Sequence, residues 1–101
     1  MKLSGYTPRN SADGLIHFPI LECWNPVTKC VSIAADVNGR RVLCRIPETV
    51  LKKRFDAAEG GPTAQVSANR RVIEAAATGL IQRKAFAADG NVDIRLEDFT
   101  G

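Results

Sequence analysis

The stretch that determines the fold is KCVSIAADVNGRRVLCRI, residues 29–46. At its centre stands Asn38-Gly39, and these residue types supply the two positive φ angles that a type I′ turn requires. With those two residues as the loop, Ala35 lies opposite Val42. A shift of the pairing by one residue would turn the apolar side chains toward water. The stretch therefore predicts a β-hairpin with a defined register.

This register gives the hairpin two different faces. One face is almost entirely apolar, with the pairs Val31–Ile46, Ile33–Cys44, Ala35–Val42 and Val37–Arg40. The other face is mostly polar, with the pairs Ser32–Arg45, Ala34–Leu43 and Asp36–Arg41. Because one face is apolar, we expect the rest of the chain to cover it.

Four further segments carry secondary-structure signals. They are a strand at 15–20, a helix at 48–58, a longer helix at 63–84 and a strand at 92–96, followed by Phe99 in the core. The predicted fold class is α+β in the order β-β-β-α-α-β, with an antiparallel sheet built on the central hairpin and two helices on one face. We expect residues 1–13 to form a flexible N-terminal arm and residues 14–101 a single domain.

The longer helix has two apolar surfaces. Its main face, expected in the core, contains Val66, Ile73, Ala76, Ala77, Leu80 and Ile81. A second surface, the small-residue strip, consists of Ala68, Val72, Ala75 and Gly79. Small side chains allow a second helix to approach closely, and the sequence offers two occupants: the first helix or another subunit. The strip therefore makes a homodimer one of our hypotheses.

Composition places the chain among ordinary globular proteins. It has 101 residues, of which 45% are hydrophobic and 25% charged, with a net charge of +3. The first 47 residues contain six Lys/Arg and three Asp/Glu, whereas the remainder contains eight of each. No apolar run is long enough for a membrane span or resembles a signal peptide, so we expect a cytoplasmic protein without membrane association. The three cysteines fit a reducing compartment.

The chain resembles a family of short bacterial proteins, the domain of unknown function 1488. The similarity covers residues 31–99. It rests on four motifs: Gly39-Arg40-Arg41-Val42-Leu43-Cys44-Arg45-Ile46, Pro47-Glu48-Thr49-Val50-Leu51, Ala68-Asn69-Arg70-Arg71-Val72-Ile73 and Leu96-Glu97-Asp98-Phe99. These motifs consist of core and turn residues. The resemblance implies a small bacterial α+β domain and supplies no activity and no functional residues.

We find no motif that indicates catalysis, a cofactor or a metal. His17 could meet Cys23 as a nucleophilic pair, but no orienting motif accompanies them. His17 and the three cysteines lack the spacing of a zinc site. The hairpin register also places Cys30 and Cys44 on opposite faces, so they cannot share an ion. We therefore predict a protein that is not an enzyme and has no cofactor and no metal site.

The remaining candidates concern binding. Our main hypothesis is a protein-binding or accessory module whose partner is unknown, with Trp24 and the small-residue strip as contacts, since exposed tryptophans often mark contact sites. Trp24 could instead cover the edge of the sheet. The alternative hypothesis is weak nucleic-acid binding through Arg40, Arg41 and Arg45 of the hairpin.

Overall fold

The computed structural model describes residues 16–99. These residues form a five-stranded sheet, three α-helices and a closing 3₁₀ helix, an α+β fold as the sequence predicts. In chain order the elements are β1 (Ile16–His17), β2 (Glu22–Asn25), β3 (Cys30–Val37), β4 (Arg40–Pro47), α1 (Glu48–Arg54), α2 (Pro62–Ala68), α3 (Arg70–Gln82), β5 (Val92–Asp93) and the 3₁₀ helix (Leu96–Phe99). The predicted arm, residues 1–13, lies outside the described residues. None of the described helices is long and apolar enough to cross a membrane.

The central hairpin has the predicted register. Ala35 lies opposite Val42, and the pairing extends from Cys30–Pro47 to Val37–Arg40. Asn38 and Gly39 both have positive φ, at 54° and 81°, as a type I′ turn requires. Turn chemistry and hydrophobic alternation specify the same pairing, which explains why the local sequence was sufficient here.

The N-terminal part of the sheet differs from the prediction. The strand expected at 15–20 is reduced in the described residues to β1, and Ile20 is 94% exposed. No sequence pattern predicted β2, which pairs antiparallel with β3. Both β1 and β2 pair with β3, at different points along it.

The C-terminal strand is shorter than predicted and runs in the opposite sense. We expected a strand through Leu96 in an antiparallel sheet, but β5 contains two residues and pairs parallel with β4. Three helices lie between β4 and β5 in the chain. Such a crossover returns the chain to the end of the sheet where β4 began, so the next strand runs parallel. Leu96 is 40% exposed and begins the 3₁₀ helix.

The helices cover one face of the sheet and enclose a hydrophobic cluster. Val31, Ile33 and Ile46 of the sheet and Leu51 and Ile73 of the helices are 0% exposed. The predicted core face of the longer helix is largely confirmed, since Val66, Ile73, Ala77, Leu80 and Ile81 are buried and Ala76 packs against them.

Both predicted helices differ in extent. The first ends at Arg54 instead of Ala58, because Phe55 is extended (φ −126°, ψ 156°) and its ring packs edge-to-face on Phe99 at 5.4 Å. The second is divided in two at Asn69, so three helices cover the sheet instead of two. Asn69 leaves helical geometry (φ −120°, ψ 27°), and its side-chain amide donates to the Gln65 carbonyl at 2.8 Å. Asparagine competes for backbone hydrogen bonds in this way and commonly ends helices.

Candidate functional site

The face of the sheet opposite the helices, here called the outer face, carries alternate residues of β3 and β4. Near the hairpin turn, the Nε–H of Arg41 donates to Asp36 Oδ1 at 2.7 Å. This hydrogen bond is the main reason that the pKa of Asp36 lies below its usual value. The predicted cross-strand pair of opposite charges is therefore present, and it engages Arg41.

Arg45, on the same face, is held by two carboxylates from the C-terminal segment. Its Nε–H donates to Asp93 at 2.7 Å and its Nη1–H to Asp89 at 2.6 Å. Hydrogen bonding to these carboxylates raises the pKa of Arg45, and the hydrogen bond from Arg45 is the first cause that lowers the pKa of Asp89. The acidic C-terminal segment thus neutralises a basic residue of the hairpin.

The three arginines proposed for nucleic acid do not form one basic surface. Arg40 pairs with Val37, so it belongs to the opposite side of the pleat from Arg41 and Arg45. Arg41 and Arg45 are four residues apart along β4, about 13 Å, and each is bonded to acidic side chains. Their contact with nucleic acid stays a prediction, and two of the three charges are already compensated.

Trp24 is half-buried on the helix-covered face of the sheet. It pairs with Val31, which is fully buried, and its ring packs against the core cluster. This is the position expected for a residue that covers the sheet edge. Its role as a partner contact stays a prediction.

An ionic cluster beside Trp24 fastens β2 to the helices. Arg70 pairs with Glu22 and with Glu74, the latter at 2.8 Å, and donates to the Pro19 carbonyl at 2.6 Å. The Ser67 hydroxyl donates to the same Glu22 at 2.9 Å. Every charged member of the cluster has a partner, so its evident role is to hold the β1–β2 segment in place.

The small-residue strip lies on the surface of the helices. Val72 is 42% exposed, Ala68 and Ala75 are exposed, and Gly79 is half-buried. The principal contacts of α1 are with β4, α2 and the 3₁₀ helix, so α1 is not the element that covers the strip. Because the break at Asn69 separates Ala68 from the others, the continuous part of the strip is the α3 part.

The thiols and the histidine occupy separate positions. His17 pairs with Asp36, and Cys23 with Ser32, which places them four residues apart along β3, about 13 Å. All three cysteines are free, and burial raises the pKa of the Cys44 thiol to about 12. Within residues 16–99, no three His, Cys, Asp or Glu side chains are grouped as metal ligands.

A cavity of about 340 Å³ lies between the end of α3 and the C-terminal segment. Leu80 and Phe86 provide apolar lining, and Arg83, Arg95, Asp93, Glu97 and Asp98 provide charged lining. A Schellman motif turns the chain here, with the Ala85 N–H donating to the Leu80 carbonyl at 2.9 Å and Lys84 at φ 59°. After this turn, the chain that leaves α3 continues along the cavity.

No sequence pattern predicted this cavity or the Arg45 cluster, which consists of Arg45, Asp89 and Asp93. Arg45 is 44 and 48 residues from its carboxylate partners, and the acidic segment alone is typical of a solvated surface. The parallel pairing of β5 with β4 brings these residues together. No local spacing indicates that pairing.

Comparison with known proteins identifies one family. The model of the family described as "Protein of unknown function (DUF1488)" matches residues 16–94, which include β1 and β2. A crystal structure at 1.60 Å of a DUF1488-family protein of unknown function from Shewanella loihica PV-4 has the same fold, with a TM-score of 0.70 and 22% sequence identity. The similarity covers 80% of this chain and 93% of that chain. No curated protein matches the sequence.

Proposed function

The chain belongs to the DUF1488 family of proteins of unknown function, and we propose that it is a non-enzymatic binding module that acts through protein contacts and pairs with a second copy of itself. The proposal also places it in the cytoplasm, where its three free cysteines would stay reduced. The partner beyond a second copy is left open.

The observation that carries this proposal is the outward side of α3. Val72, Ala75 and Gly79 follow each other at helical spacing and are exposed or half-exposed. An exposed helix side normally carries many charges. Of the three charged residues of α3, Arg70 and Glu74 are bonded to each other, which leaves Arg71 beside the strip.

The same surface suits a two-fold contact. Small side chains let the axes of two helices approach to about 8 Å. A helix of 13 residues is about 20 Å long, so two antiparallel copies would contact each other over several turns. A contact between two single helices of this length buries less area than the interface of most permanent dimers. We therefore expect micromolar affinity.

Sedimentation velocity at about 10 to 100 µM tests the proposal, because a micromolar dissociation constant gives a dimer in that range. We expect Ala75→Arg to give a folded monomer, since the new side chain occupies the contact. Ala57→Arg makes the same change at an exposed position outside the strip and should remain dimeric. A monomeric wild type, or equal dissociation by both variants, would overturn the proposal.

Nucleic-acid binding is the weaker proposal. Arg41 and Arg45 lie in ion pairs with carboxylates, and such pairs would have to open before either arginine could contact a phosphate. A gel shift at low and moderate salt separates this function from the first. Retardation that Arg41→Gln abolishes would favour it.

A further inference from the structure

We propose that the cavity at the end of α3 binds a carboxylate that carries a small apolar group. This inference uses residues outside the small-residue strip: Leu80, Phe86, Arg83 and Arg95.

The shape and lining of the cavity support a small ligand. A volume of about 340 Å³ is at the lower end of the range of ligand pockets in proteins. The apolar wall consists of Leu80, which is 5% exposed, and Phe86, which packs against the core. An apolar group of a few carbon atoms would contact this wall. The charged side chains form the rest of the lining.

Two guanidinium groups at the cavity have hydrogen-bonding capacity that the protein leaves unused. Arg83 approaches Asp98 only to 3.6 Å, and Arg95 approaches Glu97 only to 4.0 Å. Both arginine side chains are more than half exposed, at 64% and 73%. Among the described residues, neither guanidinium makes a hydrogen bond at ordinary distance. Each side chain therefore has N–H donors that solvent can reach, and both side chains line the cavity.

The three carboxylates of the lining, Asp93, Glu97 and Asp98, already have partners. Asp98 Oδ2 accepts the backbone N–H of Arg95 at 2.7 Å, and the Asp98 side chain is 11% exposed. Asp93 accepts from Arg45 at 2.7 Å. An incoming group is thus offered donors more than acceptors, which favours an anion. The acidic side chains nearby disfavour a doubly charged phosphate, so a single carboxylate is the better match.

Guanidinium groups bind carboxylates well because their parallel N–H bonds match the two oxygens. In the proposed complex Arg83 and Arg95 would donate to the carboxylate, and the apolar group would lie on Leu80 and Phe86. A free short-chain acid and the C-terminus of a peptide that ends in a small apolar residue present this same chemistry.

An NMR titration of the full chain with 3-methylbutanoate tests the site. We expect saturable shifts of the Phe86 and Arg95 amide signals with a dissociation constant of about 1 mM, as for a small fragment. The neutral isostere 3-methylbutanamide should bind at least about tenfold more weakly, because charge-assisted hydrogen bonds are the stronger ones. Absence of saturable shifts, or equal binding of acid and amide, would overturn the proposal.

Variants locate the site within the molecule. Arg83→Gln and Arg95→Gln should each weaken binding about tenfold and leave the fold intact, since both side chains are largely exposed. Lys53→Gln removes an exposed positive charge of α1 that does not line the cavity, and this variant should bind as the wild type does. Equal weakening by all three would show general charge attraction and refute the site.

Two peptides distinguish the sources of the carboxylate. The first ends in Ala-Leu with a free carboxylate, and the second has the same sequence with an amidated end. Tighter binding of the free peptide than of 3-methylbutanoate would assign the site to protein C-termini. Binding of the small acid alone would assign it to a free metabolite-sized acid. Failure of both acids at the cavity, with the chain still dimeric, would refute this inference and leave the proposed contact between copies intact.

Discussion

Replacing Ile73 by aspartate should unfold the domain, whereas the same change at its neighbour Val72 should not. Ile73 is 0% exposed and lies in the core cluster below α3, while Val72 is 42% exposed on the outward side of the helix. Valine and isoleucine have similar helix propensities, so the two variants differ chiefly in burial.

The structure sets the size of the effect. Removing the buried part of an isoleucine costs about 2–5 kcal/mol. Burying an unpaired carboxylate adds several kcal/mol more. A domain of this length has about 5–15 kcal/mol of total stability, so Ile73→Asp removes most or all of it. The Val72→Asp change should stay within about 1 kcal/mol.

Thermal unfolding followed by circular dichroism measures the difference. At about 1 µM protein, below the expected range of self-association, Val72→Asp should melt within about 8 °C of the wild type. Ile73→Asp should show no cooperative transition, and neither should Leu80→Asp, whose position is 5% exposed. A melt of Ile73→Asp near that of the wild type would refute the assignment of the buried face of α3, as would equal damage from Val72→Asp.

Two further predictions concern single residues. Gly79→Ala should stabilise the monomer by about 0.5–1 kcal/mol in urea unfolding, because alanine is the better helix former. The nearest atom to the added Cβ, Arg83 Nη1, is 4.0 Å away, so the methyl group has room. A destabilised variant would show that the position is more confined than this. For Cys44, burial raises the thiol pKa from 9.0 to about 12, so the unfolded thiol ionises first and stability should fall as pH rises from 9.0 toward 12. In Cys44→Ala the free energy of unfolding should fall less steeply with pH, by about 1.4 kcal/mol for each pH unit. Equal pH slopes of the unfolding free energy in the variant and the wild type would contradict the burial of the thiol.

Some parts of the fold follow from local sequence and others do not. The hairpin could be predicted with its register, because Asn38-Gly39 and the alternation around it point to one pairing. The strand β2 could not, because it places Glu22 on the helix-covered face, where a charge is unexpected. The partner that makes this position acceptable, Arg70, is 48 residues further along the chain. A local sequence pattern therefore cannot show that Arg70 completes the ionic cluster around Glu22.

The division of the long helix and the parallel β5 share this explanation. Asn69 interrupts the helix through a side-chain bond to Gln65, although the apolar periodicity continues on both sides of it. The direction of β5 depends on where the crossover of three helices returns the chain. The cavity and the Arg45 cluster form because the crossover brings β5 alongside β4. The small-residue strip was visible in the sequence, but its exposure depends on where α1 packs.

The contact between copies across α3 can be tested most directly by cross-linking at position 75. In a chain with Cys23→Ser and Cys30→Ser, Ala75→Cys would place one accessible thiol at the middle of the strip, since Cys44 is buried. Ala57→Cys places it at an exposed position elsewhere. Oxidation is carried out under mild conditions at about 50 µM, a concentration at which a micromolar contact is populated. We expect the thiol at position 75 to form a covalent dimer rapidly and the thiol at position 57 to form one slowly. Equal rates for the two, or no covalent dimer from position 75, would contradict the proposed contact.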